Sequence, residues 1–307
     1  MSLPKAGLAP VADVQVSVIL PTYNRAHFLH AAVTSVLSQD LTGFELIVVD
    51  DGSQDNTLAV MSTFSDPRLV LITQKNGGRS QARNRALSQA RGKLIAFLDS
   101  DDLYLPGKLA LQIAYMNAHP DVGMIYTSAY CIDHAGNPLP ENYVASVSGW
   151  IYKSIAFFRP VTITLPTVML RRELFDVVGA FDENMHRFED TDMWRRLSKV
   201  AQIHALPIFT CSLRTHDENS LLAQNPVKLI EALQYYSSKI MAEDKTISLL
   251  TRRRGLGHLY DYYGRAFLTV PGWQPQGWHL ISVAYRFWPL LWFHQILLAV
   301  YYRLKPK

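Results

Sequence analysis

Cysteine is nearly missing: Cys131 and Cys211 are the only two in 307 residues. Their wide separation fits buried, reduced thiols and argues against a disulfide framework or a cysteine-based zinc site. The first 15 residues, MSLPKAGLAPVADVQ, contain proline and acid but no continuous apolar run, so they do not read as a signal peptide, and a cytoplasmic body is expected. No dense Lys/Arg block accompanies the net charge of +4, so nucleic acid is not expected as a partner. Internal repeats and low-complexity tracts are lacking too. The length is ample for a well-buried core without a metal or disulfide to hold it.

What the chain does have is a series of short apolar runs that end in acid-bearing loops. VSVIL leads into Pro21-Thr22-Tyr23-Asn24, FELIVV into Asp50-Asp51-Gly52-Ser53, and KLIAFL into Asp99-Ser100-Asp101-Asp102. Between them the periodicity turns helical. Segment Ala26–Gln39 places Phe28, Leu29, Val33, Val36 and Leu37 on one face. Ser80–Arg91 follows Gly77-Gly78 and is expected to stop at Gly92, and a further helix is expected to begin at Pro106 and close before Pro120. This alternation predicts an α/β fold whose ligand crevice lies at the carboxyl ends of the strands.

From Val122 to about Ile208 the pattern predicts shorter strands, longer loops and a helix over Arg172–Val178 ended by Gly179. Helical periodicity returns after Leu221, with Arg252-Arg253-Arg254 and then an aromatic-rich tail. The expected organisation is an N-terminal tail over 1–15, a body over 16–220 with halves 16–120 and 121–220, and a helical extension over 221–307.

Several clusters carry chemistry, and each also has a plain structural explanation. Asp99, Asp101 and Asp102 repel one another; a turn or helix cap accounts for one such residue, whereas a divalent cation with hard oxygen ligands accounts for all three. Arg79, Arg83 and Arg85 sit at the opening of a helix, either as a solvated basic face or as phosphate contacts. Phe188-Glu189-Asp190-Thr191-Asp192 precedes a helix, where acids suit the helix dipole.

Taken in order, SVILPTYNR, IVVDDGS, NGGRSQARN, FLDSDD, VGAFDE and FEDTDMWRRL resemble the GT-A-fold glycosyltransferases of family 2, over roughly Val16 to Ser220. The resemblance implies a Rossmann-like mixed sheet flanked by helices. It implies a metal-dependent, inverting transfer of a sugar from a nucleoside diphosphate sugar, with a UDP-sugar the leading donor, to a glycan or lipid-linked hydroxyl acceptor. By that resemblance Pro21, Thr22, Tyr23, Arg25, Asp50 and Asp51 surround the nucleotide: Tyr23 stacks beside the base, Asp51 accepts from a ring N–H, and Asp50 orients its loop. Arg79 or Arg83 contacts phosphate or base, while Asp99 and Ser100 lie near the ribose. Asp101, with Asp99 and His216, is implied to bind Mn²⁺ or Mg²⁺, and Asp102 to support the turn. The base is implied in the ED motif, with Asp190 first and Glu189 and Asp192 as alternatives; Arg214 is implied to neutralise phosphate.

A processive synthase is disfavoured because the chain has no Gln-x-x-Arg-Trp motif, and a non-catalytic nucleotide-sugar-binding or assembly protein is disfavoured by the intact acidic clusters. The stretch Phe287–Tyr302 is too short and interrupted to span a bilayer. From about Gly277 onward, Trp288, Trp292, Tyr301 and Tyr302 with Arg286, Arg303, Lys305 and Lys307 predict either peripheral attachment to the cytoplasmic face of a membrane or packing on protein, a second subunit of a homo-oligomer included.

Overall fold

The computed structural model describes residues 13–156, 162–215 and 225–291. Compact packing divides them into two units: residues 13–151 with 162–215, and residues 152–156 with 225–291.

The first unit is built on one mixed sheet. The strands are β1 (Val16–Thr22), β2 (Phe44–Asp50), β3 (Leu69–Thr73), β4 (Leu94–Phe97), β5 (Leu103–Tyr104), β6 (Val122–Ile132), β7 (Pro138–Tyr143), β8 (Val168–Arg171) and β9 (Gln202–Arg214). They lie in the order β3-β2-β1-β4-β8-β6-β9-β5, with β7 beside β6. β1 to β4 run parallel, and β8 enters antiparallel to β4. Every residue of β1, β2 and β4 is buried, as expected of strands covered on both faces.

Helix α1 (Ala26–Leu37) buries Phe28, Leu29, Val33 and Val36, the stripe its periodicity predicts. Helix α2 (Thr57–Met61) is a short turn, and α3 (Arg79–Leu87) starts one residue earlier than expected and ends four residues sooner. Gly92 therefore does not cap that helix. A Cβ there would lie 2.5 Å from the Ser17 backbone nitrogen, and the Gly92 N–H donates to Ser17 Oγ at 2.9 Å, so the glycine serves close approach to β1. Helix α4 (Lys108–Ala118) starts after Gly107, in the left-handed region at φ 79°, which leaves Pro106 outside the helix.

The expected short strands of the second half are a larger departure, since β6 has 11 residues and β9 has 13. Pro207 reads as a strand breaker, yet Thr127 pairs with Leu206 and Ser128 with Phe209, so a bulge absorbs Pro207 and Ile208. Helix α6 (Leu174–Val178) ends at Gly179 as predicted, and α7 (Glu189–Leu197) follows. Cys131 and Cys211 are both buried, free thiols.

The second unit comprises α5 (Tyr152–Ala156), α8 (Pro226–Glu243), α9 (Leu249–Leu268) and α10 (Gln274–Phe287). The last two form an antiparallel hairpin through backbone contact at glycines. A Cβ on Gly264 would lie 3.0 Å from the Gly277 carbonyl oxygen, and one on Gly277 would lie 2.9 Å from that of Gly264. Tyr260 stacks on Phe287 at 5.4 Å, and Arg253 donates to the Arg286 carbonyl at 2.8 Å. Among the described residues no helix is long and apolar enough to cross a membrane. Most of the tail segment singled out above, from 292 onward, lies outside the described residues.

Candidate active site

Strands β2 and β3 lie on one side of β1 and β4 lies on the other, so the order of the parallel strands reverses between β1 and β4. A crevice opens at such a reversal, beyond the carboxyl ends of the strands. Three of the acidic loops converge on that edge of the sheet. Cavities of about 220 and 270 Å³ lie around Lys93 and Arg171, at the opposite end of β4, and share no residue with this edge.

Pro21 and Thr22 are not a turn: they complete β1 and are buried. Tyr23 is the first residue to emerge, 44% exposed, with Arg25 half-buried beside it. Asn24, at φ 52°, donates its N–H to Ser53 Oγ at 2.9 Å and accepts from the Gln54 N–H at 2.8 Å. The start of α1 is bound by Asp55, which accepts the Ala26 N–H at 3.0 Å. Asp50 accepts the Ser53 N–H at 3.0 Å and so orients its loop. Asp51 binds the start of α3: Oδ1 accepts from Gln74 Nε2 at 2.8 Å and the Gly77 N–H at 2.9 Å, and Oδ2 from the Gly78 N–H at 2.8 Å. Each carboxylate oxygen has two acceptor sites, so these bonds leave one at Oδ2 for a further donor.

The DSDD segment forms a turn, closed by the Asp102 N–H on the Asp99 carbonyl at 3.1 Å. Arg214, expected to meet phosphate, holds that turn from β9. Its N–H donates to Asp102 Oδ1 at 2.7 Å, and its guanidinium donates to the carbonyls of Asp101, Asp133 and His134. Burial, reinforced by Asp101 and Asp99, pushes the Asp102 carboxyl well above the usual range. Burial and Asp101 also raise Asp99, against the pull of Arg83. Ser100 is buried and Asp101 half-buried. His216 lies outside the described residues. Among the described residues no three His, Cys, Asp or Glu side chains converge to hold a metal by themselves.

Helix α3 connects this turn to the ED motif. Arg83, only 3% exposed, donates through Nη2 to Asp99 and through Nη1 to Glu189, both at 3.0 Å. Its role is thus structural in the first instance, and Arg79, with a side chain 58% exposed and 3.5 Å from Glu189, is the more open of the two. Asn84 fastens the preceding segment, exchanging bonds with the Phe181 backbone at 2.9 Å in each direction. Sequence periodicity could not reveal this bridge, because α3 and α7 are far apart in the chain.

The three carboxylates of the ED motif end in different states. Asp192 is fully buried and bound by its own helix, accepting from Arg195 at 2.7 Å and Arg196 at 2.9 Å. Burial raises the Glu189 carboxyl, but Arg79 and Arg83 outweigh it and hold the group below its ordinary range. Asp190, half-buried, is pushed up to about 6 by burial and by the neighbouring Glu189 charge. The Thr191 N–H donates to it at 2.6 Å. Ahead of this helix Phe188 takes a left-handed backbone at φ 64°, an uncommon conformation for a bulky residue and one that clusters at functional sites.

Comparison with known proteins places this geometry. The family described as "Glycosyl transferase family 2" matches residues 17–179. The chain belongs to glycosyl transferase family 2. An uncharacterized glycosyltransferase of Rickettsia bellii is 34% identical over 230 residues, covering 75% of this chain and 33% of the relative. The UDP-Glc:alpha-D-GlcNAc-diphosphoundecaprenol beta-1,3-glucosyltransferase WfgD of Escherichia coli is 34% identical over 211 residues, covering 68% of this chain and 80% of that protein. This family 2 chain spans about a third of the length of the three Rickettsia relatives that share 34–36% identity with it. The structure of S. aureus TarS 1-349 in complex with UDP superposes with a TM-score of 0.63 at 22% identity, over 90% of this chain and 81% of that one. The sheet with its flanking helices is the GT-A arrangement.

Proposed function

We propose that this protein transfers a sugar from a nucleoside diphosphate sugar to a hydroxyl acceptor with inversion at the anomeric carbon, using Asp190 as general base. The observation that carries this reading is the division of labour in the ED motif. Glu189 is held ionised by Arg83 and Arg79, Asp192 is bound within its own helix, and the Asp190 carboxyl is pushed up to about 6. A base of that pKa is ionised at neutral pH and still basic enough to take a hydroxyl proton as the new glycosidic bond forms. The nucleoside diphosphate leaves from the opposite face of the sugar. Tyr23, Arg25 and the free site on Asp51 border the base and ribose, Asp99 and Ser100 lie toward the ribose, and Arg79 is exposed enough to meet a phosphate. Asp50, Asp102 and Arg214 hold the loops, and Pro21 and Thr22 contribute through the strand end.

Asp101 and Asp99, with His216, would hold Mg²⁺ or Mn²⁺. Their fit rests on the DSDD turn itself: hard oxygen donors whose mutual repulsion a cation relieves. When bound, the ion supplies charge that stabilises the leaving diphosphate. The name of WfgD specifies a UDP-sugar donor and a diphosphoundecaprenol-linked acceptor, and that likeness supports a UDP-sugar and a lipid-linked glycan here, in polysaccharide or glycolipid assembly.

The test is binding and turnover of a panel of sugar nucleotides by wild type and Asp101→Ala, with Mn²⁺ and with chelator. Metal-dependent binding that is lost in Asp101→Ala, together with release of the nucleoside diphosphate by wild type, is the expected result. Equal affinity in all four conditions removes the metal from the reading, and no turnover of any sugar nucleotide removes the transfer.

A further inference from the structure

The α9–α10 hairpin is basic beyond what its packing uses: Arg252, Arg253 and Arg265 bond within this unit, whereas Arg254 and Arg286 are exposed. Between Leu249 and Phe287 the sequence carries Arg252, Arg253, Arg254, Arg265 and Arg286 but a single acid, Asp261. Asp261 is buried and accepts from Arg265 at 2.8 Å. The solvent faces of both helices are therefore free of carboxylate. On α9 Leu250, Arg254, His258 and Tyr262 recur every four residues and form one face; Leu250 is 64% exposed and Tyr262 67%. On α10 Trp278, Ser282 and Arg286 repeat the spacing, and Trp278 is 62% exposed. Past the end of α10, Leu290 is 54% exposed. Arg253, donating to the carbonyls of Arg286 and Phe287, brings the first turn of α9 beside the last turn of α10. Leu249, Leu250, Arg254, Arg286 and Leu290 thus gather at one end of the hairpin.

We propose that this hairpin docks on the surface of an anionic lipid bilayer. A tryptophan, a tyrosine and leucines exposed among arginines, with no acid on the exposed faces of these two helices, is the composition of an interfacial helix. The apolar side chains enter the boundary between head groups and acyl chains, and the guanidinium groups stay at the level of the phosphates. The scarcity of carboxylate complements a negative surface, and the exposed Trp278, Leu250 and Leu290 suit one with an apolar layer beneath its charge. The attachment uses the outward faces of two packed helices, and so differs from one made by the tail alone.

The test is flotation of the full chain with phosphatidylcholine vesicles and with vesicles containing phosphatidylglycerol, at low and high salt and without any sugar nucleotide. Binding is expected to require the anionic lipid and to weaken with salt. Arg254→Gln with Arg286→Gln should weaken it about 30-fold, at about 1 kcal/mol for each charge near the surface. Trp278→Ala should reduce binding at both salt concentrations, because its contribution is apolar. Unchanged thermal melting certifies the fold of each variant, all of them at exposed positions. No binding to anionic vesicles, or binding that both sets of substitutions leave intact, overturns the proposal. Because no donor is present, the outcome is independent of the transfer reaction.

Discussion

The Arg83 guanidinium and the Glu189 carboxylate meet at 3.0 Å although 106 residues separate them, and their side chains are 4% and 5% exposed. The pair joins the helix beside the proposed nucleotide crevice to the helix that carries the proposed base. Its chemical consequence reaches one residue further, because the Glu189 charge fixed by Arg83 is one of the causes that raise Asp190.

Glu189 and Asp190 should therefore fail differently when neutralised. Glu189→Gln leaves the buried Arg83 with Asp99 as its remaining carboxylate partner, and a broken buried pair costs about 3–5 kcal/mol. A clear drop in urea stability is expected. Asp190→Asn keeps an oxygen for the Thr191 N–H, so stability should hold while transfer falls by about 10²–10⁴-fold. Equal stability losses in the two variants, or full transfer by Asp190→Asn, would move the base elsewhere.

The pH profile offers a second check. With Asp190 near 6, transfer should rise through pH 6 and level off above it as the carboxyl ionises. Arg79 lowers this group, and its side chain is 58% exposed, so Arg79→Gln should shift the rising limb to higher pH without unfolding the protein. An unmoved limb would show that another group controls it.

Much of this arrangement can be read from sequence where the cause is local. The runs of β1, β2 and β4 are continuous because both faces are covered, and the α1 stripe follows from helical spacing. The pairs of Asp192 with Arg195 and Arg196 are three and four residues apart on one helix, a spacing visible in the sequence. What could not be read depends on distant partners. Gly92 looks like a helix stop until Ser17 is seen against it. Pro207 looks like a strand break until the bulge opposite Ser128 is seen. The carboxylate and carbonyl partners of Arg83 and Arg214 lie on distant segments and leave no mark in the local sequence.

Lys108 supplies a third prediction, on stability. It is fully buried at the start of α4, with Gln112 Oε1 as its hydrogen-bond acceptor and the Tyr104 ring 4.7 Å away. Burial lowers its pKa from 10.5 to about 8, against the opposing influence of Cys211. Between those values the unfolded chain binds the proton that the folded one has released, so stability rises with pH from about 8 towards 10.5. Unfolding midpoints of wild type minus Lys108→Met, followed across that window, should show the rise. A flat difference would mean that the amine keeps its proton inside the fold.

At Gly264 and Gly277 the two helices of the hairpin approach backbone to backbone, with the Ile281 and Leu268 side chains packed against the same two positions. Such a joint has no room for a larger residue. The spacing of the two helix axes is thus set by the two glycines and the side chains beside them. A methyl group added at either glycine would meet the carbonyl of the other at 3.0 Å or less and force the helices apart.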